Sequence, residues 1–579
     1  MRKRRLWAIG VLGVLAAAGS GCEGDLNSSS GLGGGPERIV IPPGVAGTVA
    51  EYAHLAGAGE MAVRGYGVVV GLGKTGSSEV PPALRKYITE QMLKNRVGSA
   101  TAGAGALTPA RMLADEDTAV VLVRGRIPPA VPPGTRFDLY VEALPGTQTV
   151  SLDGGVLMTT ELHPALDNSM ATLGKAKTWG RGRGALFVNP FLAQAKPARR
   201  SELRRAMIPD GGRVTRDRQI RLELRRSDYH IASLIQRRVN HRFGKGGLKV
   251  AQAKGPALIE LKVPAAYRGD YRHFLELVTH VYVPGGPEAQ ERHARQLTEA
   301  VELPTARHED ISLAWEAMGR QVLPILQPLY ASANPAAAFY SVRAGLRLGD
   351  AAAVGPMIHV ATQAKGTFQV PAIQELGRAR GLAQCLGTLK RLLSEDNALL
   401  RVTAYEALVA HGPTSAVQRE DVSGQFVLDV VRAEGDYAVY ATRTGRPKIV
   451  LFGRDIPVRR PLFYCPPDEL VTINAFRADR DIRVYRKIPR SGQMSETFTV
   501  QPTAEEMIRT LGKLPTPGRD GRPEGLGLTY SQVVGVLYGL CKQGHVPAKF
   551  VLQRPPEVRR IYSLTPGMGR PDAPEEGGE

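Results

Sequence analysis

Gly71-Leu72-Gly73-Lys74-Thr75-Gly76 is the run whose residue types could do chemistry. It fits G-x-G-x-x-G, a turn whose backbone N–H groups cradle a pyrophosphate at a helix start. Such a dinucleotide site also needs the helix to begin within the motif. It needs an acidic residue about 20 positions later, at a strand end, for the ribose. Here Ser77, Ser78, Pro81 and Pro82 delay the helix, and Glu90 falls inside it. A P-loop would need glycine where Val68 stands. The run is therefore read as a turn after a strand, and no nucleotide or other cofactor is expected.

The other reactive types are scattered. No His-Glu-x-x-His pair occurs among the 11 histidines, and no G-x-S-x-G elbow is present. His308-Glu309-Asp310 is expected to be an inter-helix turn, and Asp115-Glu116-Asp117 a solvated turn before a strand. Cys385, Cys465 and Cys541 lie far apart without zinc-site spacing, so no metal is expected. In an oxidising compartment two of them could pair and leave one thiol over, and the sequence does not choose the pair. Acid–base cleavage of cell-wall glycan would need two carboxylates in a cleft, and none can be assigned. The chain is read as architectural or binding, not as an enzyme.

Two stretches suggest the compartment. Met1-Arg2-Lys3-Arg4-Arg5, then apolar Leu6 to Ala18, then Gly19-Ser20-Gly21, is the layout of a secretory signal over 1–21. The apolar run is shorter than the roughly 20 residues that span a bilayer. Cys22 follows directly and resembles the lipidated cysteine of a bacterial lipoprotein, although Gly19 stands where an aliphatic residue is usual. The other reading is an ordinary cleaved signal with a chance cysteine. Gly24 to Gly35 is a Gly/Ser-rich tether, placing the anchor and spacer at 22–38. A formal net charge of +20 favours an anionic partner. With export expected, nucleic acid is excluded, and anionic lipid or acidic cell-wall groups remain.

The elements that would carry these residues are mixed. Strands are expected at 65–72, 118–124, 137–141 and 156–162, from β-branched runs and apolar–polar alternation. Leu84, Tyr87, Ile88 and Met92 share one helix face after Pro81-Pro82, with Gly98 as a stop. Thr178 to Gly184 reads as a flexible basic loop. A β-α-β-α pattern follows from Arg221, with Asp228 and Asp270 as helix N-caps and Gly244 at the C′ position. Pro284-Gly285-Gly286-Pro287 marks a boundary. Helical periods then suggest stacked hairpins of HEAT type over 288–415. A mixed β/α region is expected over 421–564 and a disordered tail over 565–579. The fold class is α+β, in several domains.

The ordered motifs carry a resemblance. Gly65 to Gly76 resembles the G-Y-G-x-V-V-G-L-x-x-T-G segment of the bacterial flagellar P-ring protein family. The likeness continues through Pro132-Pro133-Gly134-Thr135-Arg136-Phe137-Asp138-Leu139-Tyr140-Val141 and Ser151-Leu152-Asp153-Gly154-Gly155-Val156-Leu157 to Leu162. It includes Ile208-Pro209-Asp210-Gly211-Gly212 and the β-α-β-α unit, and so covers roughly Ile39 to Val283, in two parts at 39–205 and 206–283. The resemblance implies a periplasmic subunit that assembles with itself into a closed ring around the flagellar rod, at the peptidoglycan, joined to the outer-membrane L ring. It implies no cofactor and no reaction. Gly65, Tyr66, Gly67, Gly71, Gly76, Arg136, Asp138, Gly154 and Gly155 would shape the ring-forming fold, or serve simply as turn and core. The chain departs from the family in its added helical region, in Cys22, and in Gly73-Lys74 where Asn-Gly is usual. A second reading is a lipid-anchored envelope scaffold that reuses the ring domain outside the flagellum.

Overall fold

The computed structural model describes residues 41–95, 108–165, 176–189, 197–363, 365–379, 381–466, 469–488, 493–517 and 523–553. The expected signal, Cys22, the tether, Gly98 and the 565–579 tail lie outside these residues.

A closed six-stranded antiparallel barrel forms the first body. Its strands run around the barrel in the order Met61–Val70, Thr118–Ile127, Arg136–Ala143, Arg205–Val214, Gly180–Ala185 and Val156–Pro164. Alternation decides which side chains enter it. In Arg136–Ala143 the buried residues Phe137, Leu139, Val141 and Ala143 alternate with outward Arg136, Asp138, Tyr140 and Glu142. Inward residues of the other five strands make one cluster that includes Val63, Val69, Val121, Phe137, Leu139, Leu157 and Leu162, while Gly180–Ala185 contributes glycines. A barrel this narrow has little room inside. Space for Phe137 comes from glycines: a Cβ on Gly212 would stand 2.6 Å from its Cζ, and one on Gly125 would stand 2.7 Å from its Cε2. A Cβ on Gly182 would stand 2.5 Å from Leu139 Cδ1.

That packing corrects the expected loop at 178–184. Gly180, Gly182 and their neighbours form a barrel strand, because alternate glycines let the backbone lie directly over Phe137 and Leu139. Arg181 and Arg183 point outward and remain exposed. The strand beginning at Arg205 belongs to the same barrel, so the break expected at 205–206 falls at the start of a barrel strand.

Beside the barrel lies a four-stranded antiparallel sheet in the order Ala53–Ala56, Ile220–Leu224, Leu258–Leu261, Ala251–Ala253. Helices Tyr229–Phe243 and Tyr271–Thr279 bury Ile235, Val239, Phe274 and Val278 against it. Asp228 caps the first by accepting from the N–H groups of His230 (2.7 Å) and Ile231 (3.1 Å). Asp270 caps the second through His273 N–H at 3.4 Å. Gly244 ends the first helix as its capping residue, with φ −85°, and the left-handed residues are Gly246 and Gly247. The short strand Ala251–Ala253, absent from the sequence reading, is held by Asn240, whose Oδ1 accepts from Val250 and Ala251 N–H.

Helices from Pro287–Ala300 to Ala398–His411 stack next. They join the preceding unit through a buried charged network. His273 Nε2 lies 2.6 Å from Glu316 Oε1, and Arg347 contacts Glu316 (3.4 Å) and grips Glu375 with two bonds of 2.6 and 2.7 Å. His308-Glu309-Asp310 is the first turn of helix His308–Met318, not a separating turn. Beyond it, a five-stranded sheet in the order Val417–Val422, Phe426–Val431, Lys448–Phe452, Ala438–Ala441, Lys549–Leu552 is covered on both faces. One face packs on the helical stack. The other packs on helices Ala504–Gly512 and Tyr530–Lys542 and on a four-stranded antiparallel sheet. Phe426–Val431 is buried at every position for this reason. Cys385, Cys465 and Cys541 are all free thiols.

Two predictions follow from this packing. Gly212→Ala is expected to cost about 1–3 kcal/mol in urea unfolding, and Phe137→Leu should relieve part of it. Strict additivity of the two changes would contradict the packing account. Burial lowers the His273 pKa, but Glu276 and Glu316 together outweigh it, so the net shift is upward from 6.5. Its contribution is complete below 6.5 and is lost as pH rises through the raised value. Stability should therefore fall with pH from 6.5 upward, and His273→Gln should flatten that slope in thermal melts.

Candidate functional site

The residues singled out by sequence lie on strands Met61–Val70 and Arg136–Ala143 of the barrel and in the loops at 71–76 and 154–155. Tyr66 and Val68 face outward from their strand and, with Val120, cover helix Pro82–Lys94 through Leu84, Ile88 and Met92. Gly65 and Gly67 face inward, where the pairing register with Val156–Pro164 shifts between Arg64 and Val69. The two strands touch closely there: a Cβ on Gly65 would fall 2.2 Å from the carbonyl oxygen of Glu161. Gly155 makes a similar approach to Val69 and Leu72, and Gly76 to the backbone of Glu116 and Thr118.

The phosphate-loop lookalike is already filled. Asp117 is buried, and its carboxylate accepts from Gly73 N–H at 2.8 Å and Gly71 N–H at 3.4 Å. Gly71, at φ +83°, turns its amide to that carboxylate. The donors that a nucleotide phosphate would need are thus engaged by a residue of the same chain. Asp117 was expected in a solvated turn. Pairing of Val70 with Thr118 carries it under the glycine loop instead, and nothing local in Asp115-Glu116-Asp117 signals this.

Between the barrel face, helix Pro82–Lys94 and the C-terminal region lies a cleft of about 1100 Å³. Tyr66, Arg136, Arg183 and Asp210 line it from the barrel; Phe426 and Arg446 line it from the far side. At its margin the barrel is clasped. Asp138 Oδ1 accepts from Asp210 N–H at 2.8 Å and from Gly445 N–H at 3.0 Å. Burial raises the Asp138 pKa, and these two N–H donors oppose the rise. Burial and the Asp138 charge raise that of Asp210, opposed by Arg136 and Arg446. The sequence reading assigned no carboxylate pair, yet the fold brings these two together. Both Asp138 oxygens accept from the Gly445 backbone, so the pair works as a clasp between regions 307 positions apart in the chain.

A second clasp sits at Gly154. A Cβ there would stand 2.9 Å from Gln532 Nε2. Ser531 donates to the Val188 carbonyl at 3.0 Å. Tyr530 is buried against Phe187, with ring centroids 5.5 Å apart, and its hydroxyl donates to the carbonyls of Thr442 (2.7 Å) and Lys448 (2.9 Å). Sequence reasoning places Gly445 in a turn and Tyr530 at a helix start, but the docking roles of Gly445, Tyr530 and Ser531 escaped it, because their partners are remote in sequence. Among the described residues, no group of three or more His, Cys, Asp or Glu could hold a metal ion, and no helix is long and apolar enough to cross a membrane.

These features define a closed-barrel module whose motif glycines and Asp138 serve packing and docking. Residues 48–292 match the family model described as flagellar P-ring protein. The flagellar P-ring protein of Anaeromyxobacter sp. (strain K) is 33% identical over 240 residues, covering 39% of this chain and 58% of that protein. That of Anaeromyxobacter dehalogenans (strain 2CP-C) is 32% identical over 255 residues, covering 42% and 62%. That of Geobacter metallireducens is 28% identical over 240 residues, covering 39% and 59%. The resemblance read from the motifs is thus shown for this region. The chain spans less than two thirds of the length of these curated relatives. The helical stack and the region after it, beyond residue 292, lie outside the match.

Asp138→Ala is expected to leave the N–H groups of Asp210 and Gly445 without their acceptor and to cost about 1–3 kcal/mol. Asp138→Asn retains an acceptor oxygen and should cost less. Hydrogen exchange at 442–446 would read the difference; equal protection in both variants would contradict the clasp.

Proposed function

We propose that this chain is a structural subunit of the flagellar basal-body P ring, a periplasmic collar around the rod at the peptidoglycan layer. The observation that carries the reading is the match over residues 48–292, which spans the barrel and the adjoining four-stranded unit without a break. On this reading the function is mechanical. Copies join head to tail through a heterologous interface that closes on itself, and the partners are rod, L-ring and peptidoglycan. Gly65, Tyr66, Gly67, Gly71, Gly76, Arg136, Asp138, Gly154 and Gly155 would set the barrel geometry on which that interface depends. Cys22 would carry a lipid that tethers the chain to the outer membrane, and 288–415 would form HEAT-like repeats.

One observation favours a second reading. The C-terminal region docks on motif residues Asp138 and Gly154 of the barrel, which suits an envelope scaffold that has diverted this module from the flagellum. Deletion of the gene separates the two. The P-ring reading expects lost motility and basal bodies without a P ring by electron microscopy. Normal swimming with intact rings would refute it, and retrieval of the tagged chain without rod proteins would favour the scaffold.

A further inference from the structure

We propose that one end of the C-terminal antiparallel sheet is a docking surface for an anionic lipid bilayer. The sheet runs Leu462–Tyr464, Val471–Ala475, Ile482–Arg486, Phe498–Val500. Its inner face is core: Leu462, Tyr464, Val471, Ile473, Ile482 and Val484 are buried. At one end of its outer face two rings are exposed. Phe463 is 70% exposed, and Phe476 is 68% exposed. Phe463 pairs with Asn474, which pairs in turn with Arg483. Phe476 lies two residues beyond Asn474, at the diagonal position from Phe463. Continued by two positions, the register sets both phenylalanines at the same sheet end.

Around them the charge is positive. Arg459, Arg460, Arg477, Arg480 and Arg483 are all exposed. Of the two aspartates in this turn, Asp479 is engaged: it accepts from Phe476 N–H at 2.8 Å and lies 3.9 Å from Arg483. Arg460, just before the first strand, donates to the carbonyls of Asp479 and Arg480, which brings it to the 476–480 turn. A soluble anion would engage the arginines and leave both rings in water. A bilayer interface offers phosphates to the guanidinium groups and apolar depth to the rings. The pattern matches that interface, and it lies wholly outside residues 48–292.

Cys465 makes the test direct. It is an exposed thiol just after the first strand, whereas Cys385 is buried and burial pushes the pKa of the Cys541 thiol up to about 12. The full-length chain carrying Cys22→Ser is labelled at Cys465 with an environment-sensitive fluorophore. It is then mixed with phosphatidylcholine vesicles, with or without phosphatidylglycerol. Co-sedimentation and a blue shift are expected only with phosphatidylglycerol. Phe463→Ser with Phe476→Ser should abolish the shift and weaken binding about tenfold. Arg477→Glu with Arg480→Glu should weaken binding and reduce its salt dependence. All four positions are exposed, so circular dichroism should not change. Absence of vesicle binding, or unchanged affinity and shift in the phenylalanine variant, would overturn the proposal. So would capture by dextran sulfate that the arginine variant loses while its vesicle binding stays unchanged; that outcome would assign the surface to a soluble polyanion.

Discussion

Room inside a narrow barrel is the constraint on which the rest of the structure depends. Six strands enclose too little volume for large residues on every side, so bulk on one strand demands its absence on the neighbours. Phe137 and Leu139 supply the bulk, and Gly125, Gly180, Gly182 and Gly212 supply the absence. The same rule acts at the Met61–Val70 strand, where Gly65 lies against the Glu161 carbonyl. Once the inward pattern is fixed, alternation delivers the outward one: Tyr66 and Val68 to helix Pro82–Lys94, and Asp138 to its clasp.

Everything after residue 292 is built onto that scaffold by half-buried and buried polar joints as well as by apolar contact. Asp138 receives Gly445, Arg242 donates to the carbonyls of Glu316 and Ala317, and His273 meets Glu316 beside Arg347 and Glu375. Such joints are directional. A buried charge without its partner is expensive, so each joint fixes how one region sits on the next. Apolar faces alone would tolerate sliding. The added regions and the P-ring-type region thus share a defined geometry, in which motif residues of one are docking points for the other.

Much of the local structure was legible. Asp228 and Asp270 announced two helices because a cap is a contact over two or three residues. Four of the six barrel strands were read from β-branched runs and alternation, and the helix after Pro81-Pro82 from its apolar spacing; Arg205–Val214 was not read as a strand. The basic run at 178–184 misled because glycine and arginine have the composition of a loop. Its strand character depends on Phe137 and Leu139, which lie some forty positions earlier in the chain. Asp117 misled for a similar reason: three acids in a row suggest solvent, and only the pairing of Val70 with Thr118 buries one of them.

By itself, then, the sequence determined the α+β class, several helix starts, four of the barrel strands and the kinship of the N-terminal region, since each rests on neighbours within a few residues or on an ordered motif. Tertiary structure alone decided that the strands close into a barrel, that Asp117 fills the glycine loop, and that Asp138 holds the 444–446 turn. Those outcomes depend on volume and on hydrogen-bond partners between residues far apart in the chain, and no local pattern encodes either.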